Sequence, residues 1–159
     1  MTRSQEIDVT ENSLVGELKK HIGAGRIRFQ QERHTDHLLG MEINGVTVTE
    51  DLQVLVLELS KLSPRPITIT SVIRGGRGHH SLGRAVDLNE DVAPVLLPLI
   101  GTPDPVERLS IDELIFDAGT VGKTNRNLWN FDRGKPHSYG ETTLAQHRNH
   151  IHFSVRHRG

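Results

Sequence analysis

Thr70-Ser-Val-Ile-Arg-Gly-Gly-Arg-Gly-His-His-Ser-Leu-Gly-Arg-Ala-Val-Asp-Leu88 is the stretch whose reading decides the fold. Its end, Ala85-Val-Asp-Leu88, reads as a short strand, and Gly83 just before it allows a tight bend. Upstream, Ile67-Thr-Ile-Thr-Ser71 alternates and reads as another strand. The counterpart lies at the far end of the chain, in His147-Arg-Asn-His-Ile-His-Phe-Ser-Val155. There His150 and His152 flank Ile151, and Phe153-Ser-Val155 continues the period of two, so this too is a strand. On a strand, His150 and His152 point to the same face. Two neighbouring strands would bring Asp87 and His152 together, with His80 reaching in from the preceding loop.

A carboxylate and two imidazoles form a ligand set for a catalytic zinc ion, with one coordination position left for water. A His-x-His pair alone is ordinarily two half-buried polar residues. Joined to His80 and Asp87 across six intervening residues, with glycines between and Arg-Gly-Gly upstream, it becomes much more specific. His79 is the nearest decoy, and only His80 keeps the six-residue spacing to Asp87.

At these residues the chain resembles a known group. His80-Ser-Leu-Gly83-Arg-Ala85-Val-Asp87 is similar to the His-x-x-Gly-x-Ala-x-Asp signature of the zinc D-Ala-D-Ala peptidases. Those enzymes share a fold with the hedgehog signalling domain and, more distantly, with lysostaphin-type endopeptidases. His150-Ile-His152-Phe-Ser-Val resembles the His-x-His strand of that superfamily, and the likeness covers roughly residues 66–156. It implies His80, Asp87 and His152 as zinc ligands and an Arg after the strand that precedes the site, which Arg74 fits. The lysostaphin-like likeness implies His150 as the group that moves the proton. The chain departs from the pattern in one respect. Asn149 and Gln146 stand where the peptidases and the hedgehog domain have a Glu, and no carboxylate follows Glu141.

The remaining residues bound the reading. A chain of 159 residues suits one domain, 1–159, with a single core. Formal net charge is −1, which gives no general attraction to nucleic acid or to an anionic membrane. The absence of cysteine excludes disulfides and thiolate metal sites. No apolar run approaches the roughly 20 residues of a membrane helix, and residues 1–12 are polar, without the apolar stretch of a signal peptide. A cell-wall substrate would then be reached from the cytoplasm through a phage lysis system, an injection machine or a specialised secretion route.

Along the chain, Asn12 or Ser13 caps a helix with Leu14, Val15, Leu18 and Ile22 on one face, ended by Gly23-Ala-Gly25. Residues 26–29 alternate as a strand. His34 and His37 fall in a solvated loop beside Asp36. Residues 41–48 read as strand, Asn-Gly turn, strand. Thr49 caps a strongly apolar helix through Lys61, stopped by Ser63-Pro-Arg-Pro66. Residues 92–100 form a helix that Pro98 shortens or kinks, 101–105 a turn cluster, and 113–116 a strand. Residues 117–146 are a long loop walling a substrate cleft, with His137 and Tyr139 placed to reach a bound peptide.

The expected architecture is α+β: a small antiparallel sheet carrying zinc, with helices packed on its other face. The expected function is a zinc metallopeptidase, a carboxypeptidase or endopeptidase of the peptidoglycan stem peptide. In it Arg74 binds a carboxylate or oxyanion, His150 moves the proton and Gln146 orients substrate. His147 is the weaker base, because an odd offset on a strand turns it to the opposite face. The alternative is a non-catalytic, zinc-stabilised binding module, or a particle component retaining the site.

Overall fold

The computed structural model describes residues 13–73 and 78–156. In order, they form α1 (Leu14–Gly23), β1 (Ile27–Phe29), α2 (Arg33–Leu38), α3 (Glu50–Leu62), β2 (Ile67–Ser71), a 3-10 turn at His80–Leu82 and β3 (Ala85–Asn89). Then come α4 (Ala93–Ile100), α5 (Pro103–Arg108), β4 (Ile111–Ile115), β5 (Phe131–Asp132), β6 (Lys135–Pro136), α6 (Glu141–Ala145) and β7 (His150–Val155). The starts of α1 and α3 follow from capping chemistry. Ser13 Oγ accepts from the Gly16 amide, and Thr49 Oγ1 accepts from the Leu52 amide at 3.2 Å.

The strands make one sheet in the order β1-β2-β3-β7-β4-β5-β6. The C-terminal strand β7 is therefore inserted between β3 and β4, antiparallel to both. Val86 pairs with Phe153 and Leu88 with Ile151, and these four side chains are fully buried on one face. Helix α3 packs against them with Leu52, Leu55, Val56 and Leu59, joined by α1 and α4. The alternate residues, Asp87, His150 and His152, lie on the opposite face. The period-2 pattern thus separates an apolar core face from a polar face that carries the site.

The sheet is larger than expected, and it is not wholly antiparallel: β1 runs parallel to β2. The reason is the connection, since α2 and α3 intervene and supply the crossover that a parallel pair requires. Four local readings need correction. His34 and His37 are on α2, not in a solvated loop, and they are buried with Leu38. Their i, i+3, i+4 spacing is a helical packing face in which histidine stands for an apolar residue. The Asn-Gly turn is present, with Asn44 and Gly45 at positive φ, but its strands shrink to the single bridge Ile43–Val46. Pro103 starts α5 where only a turn was expected, as the missing N–H of proline costs nothing at a first helical position. Residues 117–146 are not one loop but contain β5, β6 and α6, tied by asparagines: Asn130 Oδ1 accepts from the Phe116 amide, and Asn127 Oδ1 accepts from the Tyr139 amide and from Asn130 Nδ2.

Candidate metal centre

Strand register builds the first half of the site. Asp87 on β3 is paired directly with His152 on β7, so carboxylate and imidazole stand side by side. The 3-10 turn at His80–Leu82 brings the second imidazole over them. That turn is closed by Gly83 at φ 72°, where a Cβ would collide with the Thr47 carbonyl. The Gly83 carbonyl in turn accepts from the Thr49 amide at the start of α3. Only glycine meets both demands, close backbone approach and positive φ.

One ligand atom from each of His80, Asp87 and His152 lies within 4.8 Å of the others, and all three residues are buried, at 4%, 2% and 8% exposure. His80 Nδ1 is 2.7 Å from the Val72 carbonyl oxygen, which only accepts, so Nδ1 carries the proton and Nε2 turns inward, 3.1 Å from Asp87 Oδ1. His152 presents Nδ1 to the same carboxylate oxygen at 3.1 Å. Burial would raise the Asp87 carboxyl, but hydrogen bonds from His152 and His80 hold it far below the ordinary range. Burial would likewise lower the His152 imidazole; bonds to Asp87 and then Glu113 raise it to about 9. Two inward nitrogens and a carboxylate, each imidazole anchored on its outer side, are a donor set suited to a divalent metal.

The sequence reading missed Glu113. Its Oε1 is 3.0 Å from His152 Nε2, the nitrogen that faces away from Asp87. Ile115 pairs with His152, and the β4–β7 register shifts between Ile111 and Leu114. Such an irregularity re-aims a side chain, and here a carboxylate within an apolar strand meets the cluster. A Glu embedded in Ile-x-Glu-Leu-Ile was the available signal, because carboxylates are seldom part-buried without a partner. His147 is a second correction. It precedes β7, so the strand offset does not apply, and its ring lies 4.9 Å from that of His150 and 5.9 Å from that of His152. Burial lowers its pKa, and its Nδ1 donates to the Thr143 carbonyl at 2.6 Å.

The other expected residues are placed as follows. His150 is half-buried on the site face, its Nδ1 2.8 Å from Asn149 Oδ1, beside a cleft of about 280 Å³ that reaches Asp87, Ser71 and Asn89. His137 lines a different cleft of about 340 Å³, with Leu128 and Phe131. Tyr139 directs its hydroxyl to the Phe131 carbonyl at 2.7 Å rather than to the cluster. Gln146 is exposed at the end of α6. Arg74 and its neighbour Arg77 lie outside the described residues, as do residues 1–12.

A separate ionic network holds the segment that carries His147. Asp117 is buried and donates its amide to the His147 carbonyl at 2.9 Å. Its carboxylate accepts from Arg126 Nη2 at 2.7 Å, the Gly119 amide at 2.9 Å and Arg148 Nε at 3.1 Å. Both arginines also reach Glu141. The Arg126 bonds, outweighing burial, hold the Asp117 carboxyl at about 2, below its ordinary 3.8. A depressed carboxylate stabilises the fold fully above its unfolded pKa and loses that contribution as pH falls through the folded value. Asp117→Asn is therefore expected to cost about 2 kcal/mol at neutral pH. It should also flatten the loss of stability between about pH 4 and 2, measured by denaturant unfolding across that range. Equal acid sensitivity in variant and wild type would contradict this.

The fold is an α+β domain with an open, mostly antiparallel sheet, and the site is a buried His-Asp-His cluster able to hold a metal ion. No family model, no curated protein and no solved structure matches the chain. Among the described residues, no helix is long and apolar enough to cross a membrane.

Proposed function

We propose that this protein is a zinc-dependent peptidase that hydrolyses a short peptide, with the stem peptide of bacterial peptidoglycan as its substrate class. The observation that carries the reading is the convergence of His80 Nε2, Asp87 and His152 Nδ1, with two further imidazoles, His147 and His150, beside it. The substrate class rests on the likeness of His80-x6-Asp87 and His150-x-His152 to the D-Ala-D-Ala peptidase signature. Two imidazoles and one carboxylate suit zinc, and three protein ligands leave a position for water. Bound there, zinc supplies Lewis acidity that polarises a scissile carbonyl and lowers the pKa of water.

The chain's own groups handle the proton. His147 commits its Nδ1 proton to the Thr143 carbonyl, which leaves the lone pair on Nε2, and burial keeps the ring neutral. His150 directs Nδ1 to Asn149 Oδ1, which makes Nε2 its basic nitrogen. Either ring can accept a proton from water and return it to the leaving amine. The cleft along Ser71, Asn89 and Asn149 offers amide and hydroxyl partners for a peptide backbone. The rival reading, a zinc-stabilised binding module, draws on Asn149 and Gln146 standing where the D-Ala-D-Ala peptidases and the hedgehog domain, which these motifs resemble, have Glu.

Zinc-loaded protein incubated with purified stem peptides and muropeptides, with products read by mass spectrometry, separates the two. Cleavage that stops on chelation and returns with zinc is the expected result. Protein carrying one zinc per chain that releases no product from any stem peptide would leave the binding module as the reading.

A further inference from the structure

We infer that Glu113 is the positioning residue of the metal centre: it holds the proton of His152 on Nε2 and so commits Nδ1 to the ion. The inference rests on the metal-centre reading above and adds a residue outside both motifs.

A histidine can offer a metal either nitrogen, and the choice follows from the hydrogen bond made by the other. His80 has its choice made by backbone, since Nδ1 faces the Val72 carbonyl. His152 has no such carbonyl. Its Nδ1 faces Asp87 at 3.1 Å, inside the cluster, and its Nε2 faces Glu113 at 3.0 Å, outside it. Without Glu113, only Nδ1 keeps a carboxylate partner, so the proton settles there against Asp87 and blocks the ligand nitrogen.

Glu113 is itself held. Ser154 Oγ donates to the same Oε1 at 3.2 Å and accepts from the Glu113 amide at 3.0 Å. Ser154 is fully buried and shares the site face of β7 with His152. One hydroxyl thus clamps both the backbone and the side chain of Glu113. His79 Nε2, 3.5 Å from Oε1 and 3.3 Å from Asp112 Oδ2, adds a third contact. Glu113 thus adds a second carboxylate beside the cluster, and it comes across the sheet from β4, not along the chain from β7.

The neighbouring carboxylate provides the control. Asp112 carries the same charge and sits one residue away, but it touches His79 rather than His152. Glu113→Gln and Asp112→Asn remove equal charge, and only the first changes the group facing His152.

The experiment measures the zinc dissociation constant by competition with a chromogenic chelator for wild type, Glu113→Ala, Glu113→Gln and Asp112→Asn. The 15N shifts of the His152 ring are recorded for each in the metal-free and zinc-loaded forms. Glu113→Ala is expected to weaken zinc by about 10–100-fold, and Glu113→Gln less, because its amide oxygen still accepts from Nε2–H. Asp112→Asn should stay within about threefold of wild type. The ring shifts should report Nδ1 ligation in zinc-loaded wild type and a proton held on Nδ1 against Asp87 in metal-free Glu113→Ala. If Glu113→Ala fails to fold, Glu113→Gln carries the test through its weaker affinity and its ring shifts. Wild-type affinity in the Glu113 variants, or equal losses in Glu113→Gln and Asp112→Asn, would overturn the positioning role while leaving the metal centre intact. A wild type that binds no zinc would remove the metal centre and this role with it.

Discussion

Asp87→Ala is expected to abolish stoichiometric metal binding and to destabilise the metal-free fold. Among the described residues, Asp87 is the one carboxylate that both inward nitrogens approach, each at 3.1 Å. Removing it leaves His152 buried against Glu113 alone, after losing the hydrogen bond that contributes most to raising its pKa to about 9. Breaking a buried charged pair by deleting one partner costs about 3–5 kcal/mol. Asp87→Asn keeps the shape and one acceptor oxygen, so it should fold more stably than Asp87→Ala and still fail to retain zinc at micromolar concentration. Denaturant unfolding together with metal analysis of both variants is the check. Retention of one ion per chain in either would mean that the cluster is not the metal site.

The second large effect is expected at the imidazoles that are not ligands. His147→Ala and His150→Ala should both keep zinc, because neither residue belongs to the converging set. The one that moves the proton should lose about 10²–10⁴-fold in kcat on stem peptides, and the other should lose substantially less. The tilted ring contact, with centroids 4.9 Å apart, means that truncating one can shift its neighbour. His147→Gln and His150→Gln, which retain bulk, separate lost chemistry from lost packing. Loss of zinc in parallel with activity would assign the residue to metal retention instead. Full turnover by both alanine variants would exclude imidazole proton transfer altogether.

The parts of this molecule that a sequence can show are those in which period and chemistry coincide. On β7, Ile151, Phe153 and Val155 alternate with His150 and His152, so apolar and polar faces follow from spacing alone. The pairing of Asp87 with His152 was accessible for the same reason: both lie on strands, and a shared ion requires adjacency. Thr49 and Ser13 were legible because a capping hydroxyl has one local task. Glu113 was not legible, because its contact crosses from β4 to β7 and depends on a register shift that no local pattern encodes. His147 was misread for a related reason. The start of β7 at His150 is set by pairing with Asn89, and extending the period of two beyond it turned the ring the wrong way. His34 and His37 show a third limit: a titratable side chain buried on a helix is spelled like one in a solvated loop.

The most direct test of the metal centre is a zinc titration of metal-free protein, read by isothermal calorimetry and by melting temperature on the same samples. Ligands drawn from the 3-10 turn, β3 and β7 make metal binding a link between distant parts of the chain, and ligand binding to the native state alone raises its stability. The expected result is one zinc per chain, a rise in melting temperature that saturates at that stoichiometry, and loss of both in His80→Ala and His152→Ala. A wild type that takes up no zinc, or His80→Ala and His152→Ala variants that both take up a full equivalent, would contradict it.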